Sequence, residues 1–263
     1  MPEGHTLHRL ARLHQRRFAG SPVTVSSPQG RFADAGKVDG GKFVRASAWG
    51  KHLFHHYAGG AIVHVHLGLY GTFTESPTPM PLPVGQVRMR IVGAEYGTDL
   101  RGPTVCEVID EAQVSAIVAR LGADPLRPDA DPTVAWERIS KSRKVIGALL
   151  MDQSVIAGVG NVYRSELLFR HGIDPYRIGR SIDRDEFTGM WNDVVELMKV
   201  GVRRGKIVVV HPEHDRGAPS YAKDRPRTYV YRRAADPCRV CGTPVCTADL
   251  EGRNLFWCPV CQT

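Results

Sequence analysis

Residues 156–166 read Ile-Ala-Gly-Val-Gly-Asn-Val-Tyr-Arg-Ser-Glu, a glycine-containing turn that runs into the start of a helix. Gly158 and Gly160 let the backbone turn tightly, and Asn161 stands where the helix begins. Such a helix start, with its free amides and positive dipole end, suits a phosphate group. A plain helix–turn–helix corner with an asparagine cap fits the same residues. A dinucleotide fingerprint does not fit, because no strand precedes the turn and the third glycine is missing.

The residues around this turn predict a helical half of the chain. Apolar spacing favours helices over residues 133–151, 161–170 and 182–203. Before them, residues 123–132 are rich in proline and in helix-capping side chains, which indicates a linker. After them, residues 205–227 combine glycine, proline, histidine and alternating charge, and we predict a mobile loop there.

The residues before the linker predict a helix followed by β-structure. Residues 6–18 carry leucines at helical spacing, and residues 111–121 form a second plausible helix. Between them the pattern is that of short strands, with four prolines marking a loop over residues 76–83. The predicted strands are residues 43–47, 52–57, 61–66, 87–92 and 105–109, with a hairpin turn at 58–60.

Five of the six cysteines fall in the last 26 residues, which is not how a disulfide scaffold distributes them. Cys238 and Cys241 form one Cys-x-x-Cys pair, and Cys258 and Cys261 form another after 16 intervening residues. Each pair can supply two thiolates from one tight turn, and two such turns at the ends of a hairpin complete a tetrahedron. The spacing therefore predicts a structural four-cysteine zinc site. Two redox pairs are the alternative, but neither lies in a βαβ pattern.

Composition and charge limit the class of protein. The 263 residues are 42% hydrophobic and 24% charged, which is ordinary for a globular chain of roughly two domains. Lys and Arg outnumber Asp and Glu by 35 to 27, and the net charge of +8 favours a polyanionic partner, most often nucleic acid. No run of about 18 apolar residues exists, and the first residues lack the order of a secretory signal. We therefore expect a cytoplasmic protein.

Several further residues are candidates for function, each with a structural alternative. Lys51 follows Gly50 at the start of a predicted strand, where a solvated surface lysine is the simpler interpretation. Leu69 and Tyr70 lie between glycines at a strand end, where bulky side chains can act as wedges between base steps or belong to a core. Cys106 and Cys246 stand outside the predicted zinc site and are interpreted as small core or surface residues.

The histidines give a weaker signal. His64 and His66 share a strand face, and His55 could lie opposite them. No carboxylate or cysteine joins them at ligand spacing, so a metal cluster there is not favoured.

The order and spacing of these pieces make the sequence resemble the formamidopyrimidine-DNA glycosylase and endonuclease VIII family along essentially its whole length. The Pro-Glu-Gly start and the Leu-Tyr pair are more similar to endonuclease VIII. The matching pieces are Pro2-Glu3-Gly4, Gly50-Lys51, residues 66–71 (His-Leu-Gly-Leu-Tyr-Gly), residues 158–161 (Gly-Val-Gly-Asn), residues 251–253 (Glu-Gly-Arg) and the second cysteine pair.

The resemblance implies an α+β fold with two domains. Residues 1–121 would form an N-terminal catalytic β-sandwich with flanking helices, and residues 122–132 a linker. Residues 133–228 would form a helix–two-turn–helix DNA-binding domain, and residues 229–263 a β-hairpin zinc finger.

The resemblance also implies the chemistry. In this family the methionine is removed and the exposed proline nitrogen attacks the sugar C1′ of a damaged nucleotide, a role that falls on Pro2. An α-amino group has a pKa near ~8 against ~10.4 for lysine, so more of it is free base at neutral pH. Glu3 would protonate the sugar ring oxygen. Lys51 would contact phosphate and act in β-elimination, and Arg253 would bind phosphates around the lesion and act in δ-elimination.

The remaining implied contacts are with damaged DNA, the expected partner of a monomeric enzyme. Asn161 and Arg120 match positions that contact DNA in the family. The target base must leave the helix, and Leu69 and Tyr70 would fill the gap. The loop over residues 205–223 would lie near the flipped base. Zinc would be structural, because four thiolates leave no open position for water. In a bacterium, such a protein would associate with the nucleoid.

Four residues at three places in the sequence depart from the family pattern. His5-Thr6 stands where the family usually has Pro-Glu, so the second carboxylate near the nucleophile is absent. Gly68 stands where endonuclease VIII often has a polar wedge residue, and Asn254 replaces a common hydroxyl residue after Arg253.

Four hypotheses follow. The leading one is a bifunctional DNA glycosylase and AP lyase acting on oxidised pyrimidines. The second has the same chemistry with oxidised purines such as 8-oxoguanine. The third is a member that binds damage without catalysis, which the intact Pro2, Glu3 and Lys51 disfavour. The fourth is an unrelated zinc-ribbon protein, which the ordered N-terminal motifs disfavour.

Overall fold

Two compact units make up the chain, residues 1–120 and residues 121–263. A computed structural model describes residues 2–215 and 227–263. The first unit is rich in strands and the second in helices, so the predicted α+β fold class is confirmed. The finer division into a linker, a helix–two-turn–helix domain and a zinc finger stays a prediction. No helix among the described residues is both long and apolar enough to cross a membrane.

The first unit holds two four-stranded antiparallel sheets, with strand orders β1-β6-β7-β5 and β2-β3-β4-β8. Helix α1 precedes the strands and helix α2 follows them. The elements are α1 (Gly4–Phe18), β1 (Thr24–Ser26), β2 (Phe43–Trp49), β3 (His52–Tyr57), β4 (Ile62–His66), β5 (Thr72–Pro77), β6 (Val87–Val92), β7 (Tyr96–Arg101), β8 (Val105–Ile109) and α2 (Glu111–Val118).

Side-chain alternation brings the two sheets together as a sandwich. In β6, Met89 and Ile91 are buried while their neighbours are half-buried, and in β4 the inward residues are Val63 and Val65. These residues of both sheets share one hydrophobic core, to which α1 contributes Leu7 among others. The sandwich thereby fixes the start of α1 against the sheets.

The other face of the sheet β2-β3-β4-β8 is covered by α2. A smaller core joins Phe54 and Ile62 of this face to Val114 of α2. Asp110 caps α2 in a reciprocal capping box with Gln113, and this box fixes where the helix leaves β8.

The second unit consists of four α-helices and one β-hairpin among its described residues. Its main core surrounds α5, every residue of which is buried except Arg170. The elements are α3 (Pro132–Ser140), α4 (Ile146–Leu149), α5 (Asn161–Arg170), α6 (Arg184–Arg204), β9 (Cys246–Leu250) and β10 (Arg253–Trp257).

The prediction of one continuous helix over residues 133–151 is wrong. The chain leaves the helical path after Ser140, and Val145 is extended and forms an antiparallel bridge with Ile178. The amide of Ile146 donates to the carbonyl of Arg177 at 2.7 Å instead of to a preceding turn. Tertiary pairing therefore overrides helix propensity and divides the segment into α3 and α4.

Part of the predicted loop over residues 205–227 lies outside the described residues, namely 216–226. Of the described part, residues 212–214 form a single 3₁₀ turn, and Val209 pairs its amide with the carbonyl of Arg227 at 2.9 Å.

Candidate active site

The start of α1 places Pro2 and Glu3 together. Pro2 is half-buried, and Glu3 is fully buried at the N-cap position of the helix. The Glu3 side chain does not cap the helix amides. A buried carboxyl is costly to desolvate, and one that does not serve as a cap is a candidate for chemistry.

Next in the helix, His5 is buried, and its Nε2 lies 3.3 Å from the hydroxyl of Thr6. Burial is the main cause that lowers the pKa of His5 to about 4, so its ring is neutral near pH 7. His5 and Thr6, which stand where the family usually has Pro-Glu, therefore contact each other at the start of the helix, and they add no charge there.

Lys51 lies in the two-residue turn between β2 and β3. Trp49 and His52 pair on either side of the turn, which leaves Gly50 and Lys51 as its central residues. Gly50 has a φ of +56°, a conformation that the first central position of such a turn can require. Lys51 is half-buried, so the hairpin presents its side chain at the end of the sheet.

Leu69 and Tyr70 occupy a tight turn directly after β4. The amide of Gly71 donates to the carbonyl of Leu67 at 2.9 Å and closes this turn. Leu69 is 39% exposed and Tyr70 86% exposed, so neither residue is part of the core.

The structure explains why Gly68 stands where endonuclease VIII often has a polar wedge residue. Gly68 has a φ of +64°, and a Cβ there would come within 2.6 Å of the Thr104 side chain. Backbone conformation and close packing both require glycine at this point of the turn.

A row of imidazoles crosses the face of the sheet that α2 covers. His52 Nδ1 lies 2.9 Å from His64 Nε2, and His64 Nδ1 lies 2.9 Å from a carboxylate oxygen of Glu107. His66, opposite His52, contacts the hydroxyl of Thr104 at 3.0 Å. The sequence has no carboxylate at ligand spacing from these histidines, but the register of β4 and β8 sets Glu107 of another strand opposite His64.

Two cationic side chains act on this row. Burial is the main cause that lowers the pKa of His52 to about 3, followed by the charges of His64, His66, Arg120 and Lys51. Arg120 is exposed just beyond α2. His55 points to the opposite face, where its Nε2 lies 2.9 Å from Nδ1 of His14.

In the second unit, Asn161 and Arg253 are linked through one residue. Asn161 begins α5, and its side-chain amide donates to the carbonyl of Asn254 at 2.8 Å. The buried guanidinium of Arg164 donates to the Asn161 side-chain oxygen. Arg253 itself is exposed at the first position of β10. Asn161 therefore holds the strand on which Arg253 lies, and its own contact with DNA stays a prediction.

The hairpin turn before Arg253 has a sharply defined backbone. Glu251 and Gly252 have φ values of +52° and +70°, the left-handed pair of a two-residue hairpin turn. Leu250 and Arg253 pair across it. Arg253 is thereby presented at the tip of the hairpin.

The sequence interpretation missed Glu166. It is fully buried in α5, and its two carboxylate oxygens accept hydrogen bonds from the amides of Tyr229, Val230 and Tyr231 at 2.6, 2.9 and 2.7 Å. Burial raises the pKa of Glu166, and the three amides oppose that rise. No local sequence pattern marks Glu166, because its partners are backbone amides more than 60 residues further along the chain.

The four predicted ligands come together in the second unit. The thiol sulfurs of Cys238, Cys241, Cys258 and Cys261 all lie within 4.8 Å of one another. Four sulfurs at this separation are the donor set of a tetrahedral metal site, so these cysteines could hold a metal ion. Cys246, at the start of β9, is not one of the four.

Family models match both halves of the chain. The formamidopyrimidine-DNA glycosylase N-terminal domain matches residues 1–103, and the formamidopyrimidine-DNA glycosylase H2TH domain matches residues 121–212. Endonuclease 8 1 of Mycobacterium tuberculosis is 73% identical, with all of both chains covered. The DNA-(apurinic or apyrimidinic site) lyase Nei2 of Mycolicibacterium smegmatis is 32% identical over all of this chain and 99% of its own.

Solved structures share the fold. The Lactococcus lactis Fpg, in complex with DNA containing an abasic site, superposes with a TM-score of 0.81 and covers 99% of both chains at 19% identity.

Proposed function

The chain belongs to the formamidopyrimidine-DNA glycosylase and endonuclease VIII family, and we propose on that basis that it is a bifunctional DNA glycosylase and AP lyase of base excision repair. The observation that carries the proposal is the 73% identity to an endonuclease 8 over the full length. The basic net charge of +8 supports damaged DNA as the partner. We expect the enzyme to act as a monomer in the bacterial cytoplasm, where that DNA lies.

Catalysis begins at Pro2 once the initiator methionine is removed. The proline nitrogen attacks the sugar C1′, the bond from C1′ to the damaged base breaks, and the base leaves with the bonding electron pair. Opening of the sugar ring then gives an iminium between C1′ and the proline nitrogen. Since proline is a secondary amine, this cation forms directly and withdraws electrons from the adjacent carbon.

Glu3 is suited to the acid role by its place. Its carboxyl is fully buried and directly follows Pro2 in the chain, and we assign to it the protonation of the ring oxygen as the sugar opens. Lys51, on the β2–β3 turn, would contact phosphate and serve in β-elimination. Arg120, exposed after α2, would add a DNA contact.

The second unit would bind the strand around the lesion. Arg253 is exposed at the hairpin tip, where it can reach phosphates and serve in δ-elimination. Asn161 would act at the same place through its hold on Asn254. We assign zinc to the four cysteines, in a structural role, because a site with four thiolates has no open position for water.

Oxidised pyrimidines are the proposed main substrates. The support is the resemblance of the Pro-Glu-Gly start and of the Leu69-Tyr70 pair to endonuclease VIII, together with the 73% identity to a relative named endonuclease 8. Leu69 and Tyr70 are exposed, which suits them to fill the gap left by a flipped base of either kind. Oxidised purines remain the second candidate, because the matched family models both carry the formamidopyrimidine-DNA glycosylase name.

Borohydride trapping tests the proposal. Purified protein, with proline verified as its first residue, is mixed with DNA containing an abasic site, and borohydride reduces the iminium to a stable cross-link. We expect a cross-link from the native terminus and from a C-terminally tagged control. The same tag at the N-terminus should abolish the cross-link and leave salt-dependent DNA binding largely intact. Absence of a cross-link from the verified native protein would overturn the lyase assignment.

Substrate preference is decided by a second assay. Excision of thymine glycol, 5-hydroxyuracil and 8-oxoguanine is measured opposite each normal base under single-turnover conditions. Faster excision of the two pyrimidines supports the proposal, and faster excision of 8-oxoguanine supports the purine alternative.

A further inference from the structure

A continuous hydrogen-bonded chain runs across three strands of the first unit. Glu107 on β8 contacts His64 Nδ1 on β4 at 2.9 Å, and His64 Nε2 contacts His52 Nδ1 on β3 at 2.9 Å. The strand register sets His64 directly opposite Glu107 and His66 directly opposite His52. The chain therefore connects a half-exposed carboxylate to the residue that follows Lys51.

The carboxylate decides which nitrogen of each ring carries its proton. An ionised Glu107 can only accept, so the proton of a neutral His64 lies on Nδ1 and its Nε2 carries a lone pair. That lone pair accepts from His52, so the proton of His52 also lies on Nδ1. The Nε2 atom of His52 is then left as a hydrogen-bond acceptor.

Burial keeps these rings neutral. It is the main cause that lowers the pKa of His52 and of His64, and Glu107 only partly opposes the effect at His64. At neutral pH each ring is therefore uncharged, and the only choice left is whether its proton lies on Nδ1 or on Nε2.

Packing holds the rings in place. His64 stacks between neighbours, with its centroid 5.1 Å from that of Phe54 and 5.1 Å from that of His52, at interplanar angles of 20° and 22°. Rings held this way cannot readily turn over, so the order of donors and acceptors is fixed along the chain.

Two cationic side chains, Lys51 and Arg120, respond to the order of donors and acceptors in this chain. Lys51 directly precedes His52 and is half-buried in the two-residue turn between β2 and β3, so its side chain starts next to this end of the chain. The charge of Lys51 acts on both His52 and His66, and that of Arg120 acts on His52. A lone pair on His52 attracts a neighbouring ammonium, whereas an N–H at the same place would repel it.

We propose that Glu107 and His64 are positioning residues that hold His52 as an Nε2 acceptor, and that His52 in this form orients the side chain of Lys51. The inference rests on the proposed function of Lys51 in strand cleavage. It adds Glu107, His64 and His52 to the residues that act on Lys51. None of these three contacts DNA in the proposal.

The tautomers are tested first, by nitrogen-15 NMR of histidine in the full-length protein. We expect the Nδ1–H form for His52 and His64 in the native chain. Glu107→Ala should convert a measurable fraction of His52 to the Nε2–H form, and Glu107→Gln should restore the native form because its amide oxygen still accepts. Glu111→Ala is the matched control, since Glu111 lies 3.8 Å from His56 on the same sheet face. An Nε2–H form of His52 in the native protein would overturn the proposal.

Cleavage and trapping are then measured on abasic DNA. Glu107→Ala and His64→Phe should slow strand cleavage about tenfold, the loss expected when one hydrogen bond to a charged group is removed. Borohydride trapping should be unchanged, because it reports the proline nucleophile. Cleavage at the native rate in both variants would overturn the role of the chain. Absence of trapping in the native protein would instead contradict the proposed function. The NMR result on the tautomers does not depend on activity and would remain valid in that case.

Discussion

Asn161 donates a 2.8 Å hydrogen bond from its side-chain amide to the carbonyl oxygen of Asn254, the residue next to Arg253. A side chain at the start of a buried helix thus fixes the backbone of the strand that presents an exposed arginine. If Arg253 binds phosphate as proposed, that binding depends on a residue of another element.

Replacement of Asn161 by alanine should weaken this arrangement. It removes the bond to Asn254 and one acceptor of the buried Arg164 guanidinium, a loss of roughly 1–3 kcal/mol in the free energy of unfolding. If Arg253 then loses one phosphate contact, the salt slope of DNA binding should fall by about 0.9. Urea unfolding and binding titrations at several salt concentrations measure both effects.

Asn254→Ser is the control for that variant, because Asn161 binds the backbone carbonyl, which the substitution leaves in place. It should match the native protein in stability and in salt slope. Equal effects of the two substitutions would contradict the proposed link.

A second prediction concerns Glu166, whose carboxylate accepts from three consecutive backbone amides before the cysteine module. In Glu166→Gln the side-chain NH₂ would face at least one of these amides. Both groups are hydrogen-bond donors, so that hydrogen bond would be lost. We expect a loss of roughly 3 kcal/mol in the free energy of unfolding and faster hydrogen exchange at Tyr229–Tyr231. Glu196→Gln, whose parent carboxylate is 66% exposed on α6, should change neither. Unchanged exchange in the Glu166 variant would refute the anchoring role.

Elements with a strong local pattern could be predicted from the sequence. The predicted bounds of β3, β6, β8 and α5 agree with those observed. By contrast, β5 and β7 were missed. β5 is mostly exposed and ends in a proline, and β7 buries Asp99, which is held by Arg90 at 2.7 Å, so neither shows an apolar alternation.

Site residues divide in the same way. Cys-x-x-Cys spacing is visible because each pair of ligands comes from one turn. The Glu107–His64–His52 chain is not visible, because its three members come from three strands and meet only through register. The partner of Asn161 is a backbone carbonyl, which leaves no side-chain signature in a sequence.

Acid should unfold the first unit. Burial lowers the pKa of His14 to about 3, of His5 to about 4 and of His55 well below its usual value. The unfolded chain binds these protons near pH 6.5 and the folded chain does not, so the stabilisation is complete above that pH and is lost as pH falls below it. Each group contributes a slope of up to about 1.4 kcal/mol per pH unit. Urea unfolding between about pH 7 and pH 5 measures the slope.

His14→Phe isolates one of these groups. It keeps an aromatic ring beside Phe73 and removes one titrating group, so the pH slope should decrease by up to about 1.4 kcal/mol per unit. The variant is expected to be less stable at pH 7, because the buried His55 loses its 2.9 Å partner. A slope equal to that of the native protein would contradict the assignment.

Metal removal should act on the second unit. We expect one zinc ion per chain by elemental analysis, and its loss on chelation or in Cys258→Ser, with weaker DNA binding as a result. Cys246→Ser is the matched control, because Cys246 lies in the same hairpin but outside the four-cysteine cluster. Equal metal loss in both variants, or a native protein without zinc, would show that the four sulfurs are not the ligand set.

The last prediction concerns Leu69 and Tyr70, the exposed pair on the turn after β4. Because Tyr70 is 86% exposed, Tyr70→Ala should change the free energy of unfolding by less than about 0.5 kcal/mol. If the pair fills the gap left by a flipped base, single-turnover excision from duplex DNA should fall, since the unstacked state of the base is no longer stabilised. Excision from single-stranded DNA, where no stack has to be opened, should fall much less. Leu82→Ala is the control, because Leu82 is also 86% exposed on another loop of the same unit, and it should leave both rates unchanged. Equal losses on duplex and single-stranded DNA would assign Tyr70 to general DNA binding instead of gap filling.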